Sequence, residues 1–304
     1  MSDNLVYIIV LNWNGRDDTR ECLLSCRKTT YGNYRILVVD NGSTDGSEAF
    51  LRGEFPDVEF LQTGENLGFA GGNNRGIDYA LARGAKYVWL LNNDTIIAPE
   101  ALTELVEVFE ARKGAGIVGS KIYYYDDPRR VWFAGGWIKY ARGSTGHTGE
   151  GVTDEGQFDE VREVDYITGC SLMVSRDAIE AVGLMDERYF LLFEETDLNE
   201  RMRRAGYKVL FVPSSHVWHK ISCSLGDHSA MYYYYLYRNC LLFTAKHRPR
   251  LFPIVFLRKV LEALNFYRLG QGASGRLALL GIGDFSRERF GKCRHHAAAT
   301  VGQS

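Results

Sequence analysis

The sequence lacks the features of a secreted, disulfide-bonded or membrane-spanning protein. Its six cysteines occur without a CxxC pair, which indicates neither a disulfide framework nor a zinc ribbon. No run of 18 uninterrupted apolar residues is present, and the first residues carry neither a basic region nor a cleavage pattern. These absences predict a cytoplasmic protein with reduced thiols.

Charge is nearly balanced overall but unevenly distributed. The formal net charge is −2 over 304 residues, whereas the chain from Lys246 onward contains 11 Lys and Arg against 3 Asp and Glu, a local balance of +8. The acidic body that precedes this segment argues against nucleic-acid binding. The basic end is suited to an anionic membrane surface, with packing on the rest of the chain or on a second subunit as an equal alternative.

The first half of the chain alternates between strand-like and helix-like stretches. Apolar runs at residues 7–11, 36–39 and 58–62 are separated by helical patterns, and a strand predicted at 117–125 follows a helix predicted over 99–113. With 45% hydrophobic residues, the chain can bury a large core. The alternation predicts an α/β protein with a Rossmann-like, mostly parallel central sheet flanked by helices.

The rest of the chain divides into a loosely patterned middle and a helical end. Residues 128–164 predict hairpins and a mobile loop around 142–157 of the kind that covers a substrate. We expect a catalytic domain over residues 1–245 and a basic helical extension over residues 246–304.

Two predicted strands end in oxygen-bearing side chains. One is followed by Asn92, Asn93 and Asp94, and the other by Asp40. Either group alone indicates only a turn, because Asn and Asp favour turns through their backbone chemistry. Together they would lie at the carboxyl edge of a parallel sheet, where ligands bind, and they predict a meeting point for a divalent cation and a diphosphate.

A glycine-rich stretch at residues 66–74 leads into a helix predicted around 78–83. The stretch has neither the GxxxxGK[ST] spacing of a P-loop nor a GxGxxG fingerprint. Its glycines permit close approach of backbone amides to a ligand, and its asparagines can bond to a nucleotide. A turn that needs glycine for positive φ is about equally consistent with the sequence.

Three carboxylates, Glu194, Glu195 and Asp197, crowd the predicted start of a helix. Acidic residues in a first turn favourably oppose the helix dipole, which is sufficient reason for their presence. Crowded carboxylates also raise one another's pKa, which suits a general base that works near neutral pH.

Four potential zinc ligands, His216, His219, Cys223 and His228, lie within one short segment. Their spacing does not match a standard zinc finger, so structural zinc is disfavoured. A single histidine that completes a cation shell with Asp94 is the simpler interpretation.

Five motifs, taken in order, resemble the family-2 inverting glycosyltransferases, and most of all their rhamnosyltransferase-type branch. The similarity covers about residues 5–243. The motifs are residues 10–15 (VLNWNG), 39–46 (VDNGSTDG), 66–74 (NLGFAGGNN), 91–95 (LNNDT) and 193–198 (FEETDL).

The resemblance implies a GT-A fold in which Asp40 contacts the base and ribose of the donor nucleotide. It implies that Asp94, with His219, binds Mg²⁺ or Mn²⁺. Further nucleotide- and sugar-binding residues would be Asn12, Asn14, Asn66, Gly71, Asn73, Asn74, Asn92 and Asn93.

Two positions depart from the family pattern. The acid that acts as base in the family is usually Asp, whereas the matching residue here is Glu195, and Glu194 and Asp197 remain rivals. The first Asp of the metal motif is replaced by Asn92. Metal affinity would therefore depend more strongly on the diphosphate and on His219.

The resemblance implies a metal-dependent inverting glycosyltransferase with a donor half of about residues 1–120 and an acceptor half of about residues 121–245. The donor would be dTDP-rhamnose or a UDP-hexose. The acceptor would be a hydroxyl of a glycan or lipid-linked saccharide in polysaccharide biosynthesis. The extension would bind the inner face of the membrane peripherally or form a homodimer contact. A catalytically silent sugar-binding protein and a sugar nucleotidylyltransferase are the alternatives.

Overall fold

The computed structural model describes residues 4–221 and 230–294. Within these residues a ten-stranded mixed sheet has the order β10-β12-β6-β11-β4-β1-β2-β3, with β5 paired to β12 and β7 to β6, while β8 and β9 form a separate hairpin. The strands are β1 (Val6–Asn12), β2 (Tyr34–Asp40), β3 (Glu59–Gln62), β4 (Tyr87–Asn92), β5 (Thr95–Ile97), β6 (Ala115–Tyr124), β7 (Val131–Phe133), β8 (Gly136–Lys139), β9 (Ser144–His147), β10 (Arg162–Glu163), β11 (Ser171–Ser175) and β12 (Lys208–His219).

The sheet contains two parallel parts. In the first, β1 pairs in parallel with β2 and β4, and β2 pairs in parallel with β3. In the second, β12 runs parallel to β6. The antiparallel strand β11 lies between β4 and β6 and joins the two parts. Helices cover both faces, which is why β1 is an almost uninterrupted buried apolar run. The predicted α/β architecture is confirmed.

Nine α-helices occur in the described part of the chain. They are α1 (Arg16–Cys26), α2 (Ser47–Glu54), α3 (Gly68–Ala82), α4 (Ala101–Ala111), α5 (Arg176–Val182), α6 (Glu194–Arg204), α7 (Ala230–His247), α8 (Phe252–Arg268) and α9 (Gly272–Ser286).

The helix predicted around residues 78–83 begins ten residues earlier, so most of the glycine-rich stretch is helical. A Cβ at Gly72 would lie 2.5 Å from Leu11 Cδ1, and one at Gly76 would lie 2.8 Å from Ile9 Cγ2. Because these glycines lack side chains, α3 can pack directly on β1. Their main structural effect is close contact between helix and sheet.

The predicted mobile loop at 142–157 is partly the strand β9, and the segment after it is fixed to the sheet. The buried Lys121 of β6 lies 2.8 Å from Asp154 and 2.7 Å from Asp159. Tyr123 donates a hydrogen bond to Asp154 over 2.6 Å. These contacts hold the segment between β9 and β10 against the end of β6.

The helical end of the chain was predicted correctly. Helix α7 packs on α9, where a Cβ at Gly281 would lie 2.3 Å from the Tyr234 carbonyl oxygen. Tyr234, Tyr235 and Tyr237 are buried, as expected for packing residues. The predicted domain boundary at residue 245 falls just before the end of α7. Within residues 4–221 and 230–294, no helix is both long and apolar enough to cross a membrane.

Candidate active site

A cleft with about 830 Å³ of empty space opens where β1 and β4 end, beside the turn that follows β2. The ends of these parallel strands form the edge at which the sequence predicts ligand binding. The cleft is lined by Leu11, Trp13, Asn41, Asn66, Gly68, Phe69, Asn92, Asn93, Asp94, Phe190 and Leu191.

Asp40 is fully buried at the end of β2. Its Oδ1 accepts a hydrogen bond from the Ser43 amide over 2.8 Å, and its Oδ2 has no hydrogen-bond partner among the described residues. A buried carboxylate oxygen without a donor is costly. Asp40 is not among the residues that line the cleft, so its contact with a donor nucleotide remains a prediction.

Asn12, Asn14 and Asn93 connect the turns around the cleft. Asn12 donates to the Ser43 hydroxyl over 3.1 Å, and Asn14 accepts from the Thr44 amide over 2.8 Å. Asn93 donates to the Thr19 hydroxyl over 3.0 Å. Asn93 also lines the cleft, so it both supports the turn and faces the cavity.

Asn66 and Asn41 form the wall opposite β4. Asn41 donates to the Gly68 carbonyl over 3.0 Å and accepts from the Leu67 amide over 3.0 Å. Asn66 accepts from the Gly68 amide over 2.8 Å. These bonds fix the entry to α3, and both asparagines line the cleft.

Gly71, Asn73 and Asn74 lie inside α3 and do not line this cleft. Asn74 forms a reciprocal pair with the Met185 backbone, donating over 2.9 Å and accepting over 3.0 Å. It also donates to Glu187 over 3.0 Å. Asn74 thus ties α3 to the chain before Tyr189, and any contact with a ligand remains a prediction.

Asp94 and His219 form a buried pair beside the cleft. Asp94 Oδ1 lies 3.1 Å from His219 Nε2. Strand pairing brings them together, because His219 at the end of β12 pairs with Thr95 of β5. Burial acts to lower the pKa of His219, but Cys170 and Asp94 outweigh it and raise that pKa to about 10.

With the His219 imidazole neutral, this pair fits a divalent cation that is completed by a diphosphate, and the cation would displace the proton that the raised pKa favours. Carboxylate oxygen and imidazole nitrogen are both ligands for Mn²⁺, and Mg²⁺ commonly uses one or two carboxylates together with substrate phosphates. A complete protein cage is not available: within residues 4–221 and 230–294 no group of three or more His, Cys, Asp and Glu side chains converges. Substrate oxygens would have to supply the remaining ligands.

The alternative zinc cluster cannot be assembled from the described residues. Cys223 and His228 lie outside them. His216 is three residues before His219 on β12, which places the two side chains on opposite faces of the strand. The His216 ring packs against Tyr123 at a centroid distance of 5.5 Å.

Glu194 and Glu195 begin α6. Burial and the neighbouring Glu195 raise the pKa of the Glu194 carboxyl well above its usual range. Burial likewise raises the pKa of Glu195. One oxygen of each carboxyl is buried and without a hydrogen-bond partner among the described residues. Raised pKa values suit a general base, but neither Glu194 nor Glu195 is among the residues that line the cleft, so a catalytic role for either remains a prediction.

Asp197 has a different environment. It is buried and accepts from His247 over 2.7 Å, from Arg201 over 2.8 Å and from Tyr189 over 3.2 Å, while Lys246 lies 2.8 Å away. Burial alone would raise the pKa of this carboxyl, but His247, Arg201 and Lys246 hold it well below its usual range. Asp197 is the centre of an ion-pair network that joins α6 to the end of α7.

The profile of Glycosyl transferase family 2 matches residues 7–183, more than half of the chain. The chain belongs to glycosyl transferase family 2. The predicted family and enzyme class are thus confirmed, and the protein is a glycosyltransferase.

Relatives of this glycosyltransferase include named rhamnosyltransferases. It is 26% identical over 266 residues to the N-acetylglucosaminyl-diphospho-decaprenol L-rhamnosyltransferase of Mycobacterium tuberculosis, covering 78% of this chain and 83% of that protein. It is also 26% identical over 261 residues to the dTDP-rhamnosyl transferase RfbF of Shigella flexneri, covering 82% of this chain and 83% of that protein.

Solved structures confirm the GT-A fold. The mannosyltransferase PcManGT from Pyrobaculum calidifontis, in complex with GDP-Man and Mn²⁺, superposes with a TM-score of 0.56 at 16% identity, covering 98% of this chain and 79% of that one. Staphylococcus aureus TarS superposes with a TM-score of 0.57 at 13% identity, covering 93% and 81%.

Two features of the glycosyltransferase site were missed by sequence reasoning. Asn41 lines the cleft although only its neighbour Asp40 was predicted, and its position within the same turn was an available signal. The half-buried Trp132 stands edge-on to His219 and to His147, each at a centroid distance of 4.6 Å. No local signal marks Trp132, since Trp132 of β7, His147 of β9 and His219 of β12 come from three strands that are separate in the sequence.

Proposed function

We propose that this glycosyltransferase moves a sugar from a nucleoside-diphosphate donor to a hydroxyl of a glycan or lipid-linked saccharide, with inversion at the anomeric carbon. The observation that carries the proposal is the Asp94–His219 pair at 3.1 Å beside a cleft lined by amide side chains. The nucleoside would lie toward Asp40, whose Oδ2 lacks a donor, and the diphosphate toward Asp94.

Asp94 and His219 would hold Mg²⁺ or Mn²⁺. A cation bound there would neutralise the negative charge that develops on the departing diphosphate. Because the donor supplies the remaining ligands, donor and cation should bind cooperatively.

Glu195 is the proposed general base. The acceptor oxygen would form a bond to the anomeric carbon as the bond from that carbon to the diphosphate breaks, and the hydroxyl proton would pass to the Glu195 carboxylate. Attack from the face opposite the leaving group gives inversion without a covalent enzyme intermediate. Glu195 is favoured over Asp197, whose oxygens are engaged by His247, Arg201 and Lys246.

The test is nucleoside-diphosphate release over a panel of sugar nucleotides, with Mg²⁺, Mn²⁺ or EDTA. Two relatives are named for rhamnosyl transfer, so dTDP-rhamnose is the first donor and UDP-hexoses are the next. Cation-dependent release or binding of one donor would support the proposal. Folded protein that binds no donor would contradict it and favour a catalytically silent homologue.

We further propose that α8 lies on an anionic membrane surface. Four apolar side chains form an exposed helical row, with exposures between 48% and 61%: Ile254, Leu257, Leu261 and Leu264. The exposed residues Arg250, Arg258 and Arg268 flank this row. Arg258 is paired with Glu262 over 2.7 Å, so Arg250 and Arg268 would supply the positive charge that attracts anionic lipid.

Co-sedimentation with vesicles tests this surface. The protein should bind vesicles that contain phosphatidylglycerol, bind pure phosphatidylcholine weakly, and be released by salt. Replacing Leu257 and Leu261 with Gln should abolish binding, while the control Val152→Gln, at another exposed apolar position, should not. Dimerisation lost in the same double variant, without any vesicle binding by the parent protein, would contradict the proposal.

A further inference from the structure

The chain segment that precedes Glu194 and Glu195 has an unfavourable backbone conformation. Phe190, Leu192 and Phe193 have φ angles of 64°, 68° and 75°, in the left-handed region that bulky residues rarely occupy. Such conformations persist only where the surrounding structure enforces them. We call residues 189–193 the left-handed loop.

Two adjacent residues of α7 hold this loop through its carbonyl groups. The side-chain nitrogen Nδ2 of Asn239 lies close to three carbonyl oxygens of the loop. The distances are 2.9 Å to Tyr189, 2.7 Å to Leu191 and 2.8 Å to Leu192. The Arg238 guanidinium donates to the Tyr189 carbonyl over 2.8 Å. Both side chains are fully buried, so water does not replace these donors.

The two residues also bond to each other, and Arg238 bonds to the segment after α9. Arg238 Nε donates to Asn239 Oδ1 over 2.9 Å, which orients the Asn239 amide toward the loop. Arg238 donates to the Gly291 carbonyl over 2.6 Å, and the Gly291 amide donates to the Arg188 carbonyl over 2.9 Å. The segment after α9 is therefore bound to Arg238, which together with Asn239 we call the clamp.

The left-handed loop contacts both the donor cleft and the first turn of α6, which contains Glu195. Phe190 and Leu191 line the cleft, and the Phe190 carbonyl accepts from the Phe69 amide over 2.7 Å at the start of α3. At its other end, Phe193 is the residue before α6, and its carbonyl accepts from the Asp197 amide over 2.8 Å. The conformation of the loop thus sets the cleft wall and the direction of the first turn that carries Glu195.

We propose that Arg238 and Asn239 are positioning residues that hold the left-handed loop so that the donor wall and Glu195 keep their relative placement. This inference rests on the proposed function. They act through the backbone of residues 189–193. Arg238 also lies over the rings of Tyr234 and Tyr235, 5.3 Å and 5.0 Å from their centroids, so the aromatic residues of α7 help to hold it in place.

The first test is Asn239→Leu, which keeps the volume of the side chain and removes its donors. Turnover per folded molecule should fall by about 10²-fold, the scale of a displacement of about 1 Å at an active site. The pH at which kcat falls on the acid side of its pH profile should also shift. The reason is that burial raises the pKa of Glu195, and this burial changes when the loop moves. The control is Thr244→Val on the same helix. The Thr244 hydroxyl donates a hydrogen bond to the Cys240 carbonyl, which also belongs to α7.

Hydrogen exchange supplies a readout that is independent of activity. In Asn239→Leu the amides of Phe69 and Asp197, which bond to the loop carbonyls, should exchange faster than in Thr244→Val. If the parent protein transfers no sugar, the proposed function fails, while this exchange difference still supports the clamp. Unchanged exchange, kcat and acid limb in folded Asn239→Leu would overturn the clamp.

A second variant tests whether Asn239 acts by stabilising the positive φ angles of the left-handed loop. Glycine tolerates positive φ without strain, so Leu192→Gly should lessen the need for the clamp. The activity lost on Asn239→Leu should be clearly smaller in the Leu192→Gly background. An equal loss in both backgrounds would show that Asn239 does not act through the loop conformation. Should Asn239→Leu fail to fold, Arg238→Lys provides the same comparison with the positive charge retained.

Discussion

His219 Nε2 lies 3.1 Å from Asp94 Oδ1, although Asp94 lies in the turn between β4 and β5 and His219 ends β12, far away in the sequence. The antiparallel pairing of β5 with β12 creates this contact, since it aligns His219 with Thr95. A carboxylate and an imidazole at this separation can share one cation, and the following prediction depends on that.

Asp94→Asn should weaken Mn²⁺-dependent donor binding by about tenfold or more, which corresponds to about 1.4 kcal/mol or more. The reason is that the amide lacks the negative charge that attracts the cation. Calorimetric titration of the donor with and without Mn²⁺ measures the effect. Equal affinities for parent and variant in both conditions would remove Asp94 from the metal site.

Glu195→Gln should reduce turnover by about 10²–10⁴-fold, because the amide cannot accept the acceptor proton. Donor affinity should stay within a few-fold of the parent. Glu194→Gln should reduce turnover much less, because Glu195 and not Glu194 is the proposed base. Rates and donor affinities of both variants decide the assignment, and a larger loss in Glu194→Gln would make Glu194 the base.

The pH dependence of kcat should show an acid limb above the usual range of a glutamate. Burial raises the pKa of Glu195, and the base works only when it is deprotonated. The rate should therefore be full at pH values above the raised pKa and fall as pH drops through it. Measurement of kcat between about pH 4 and pH 8 locates the limb, and a limb near 4.3, the usual value for glutamate, would contradict the assignment.

Asp197→Asn should destabilise the fold by about 3–5 kcal/mol, because it leaves Arg201, Lys246 and His247 around a neutral group. The pKa of Asp197 is lowered in the folded state, so its contribution is complete above the unfolded value of about 3.9 and is lost as pH falls toward the folded value. Urea unfolding at pH 7 and at about pH 2 measures both effects, because only the lower pH lies between the folded and unfolded pKa values. An unchanged free energy of unfolding at pH 7 would show that the network contributes little.

Local patterns sufficed to predict much of the fold. The apolar runs of β1, β2 and β4 and the polar turns that follow them indicated a parallel sheet with polar groups at its carboxyl edge. The cleft at that edge is lined by Asn66, Asn92, Asn93 and Asp94, all of which were predicted site residues. These features could be read from the sequence because strand periodicity and turn chemistry depend on neighbouring residues.

Other features depended on contacts between distant segments. The glycines of residues 66–74 indicated a loop, and only the approach of α3 to β1 shows that they allow close packing. Asp197 had the same local appearance as Glu194 and Glu195, yet His247 and Lys246 at the end of α7 make it an ion-pair centre.

The sequence by itself determined the alternation of strands and helices, the family, and the acidic edge of the sheet, because each is encoded by local order of residue types. Only the tertiary structure decided which carboxylates are engaged, that Asp94 meets His219, and that Asn239 holds the carbonyls of the left-handed loop. Those properties arise from strand order, register and burial, which bring together side chains that no local pattern relates.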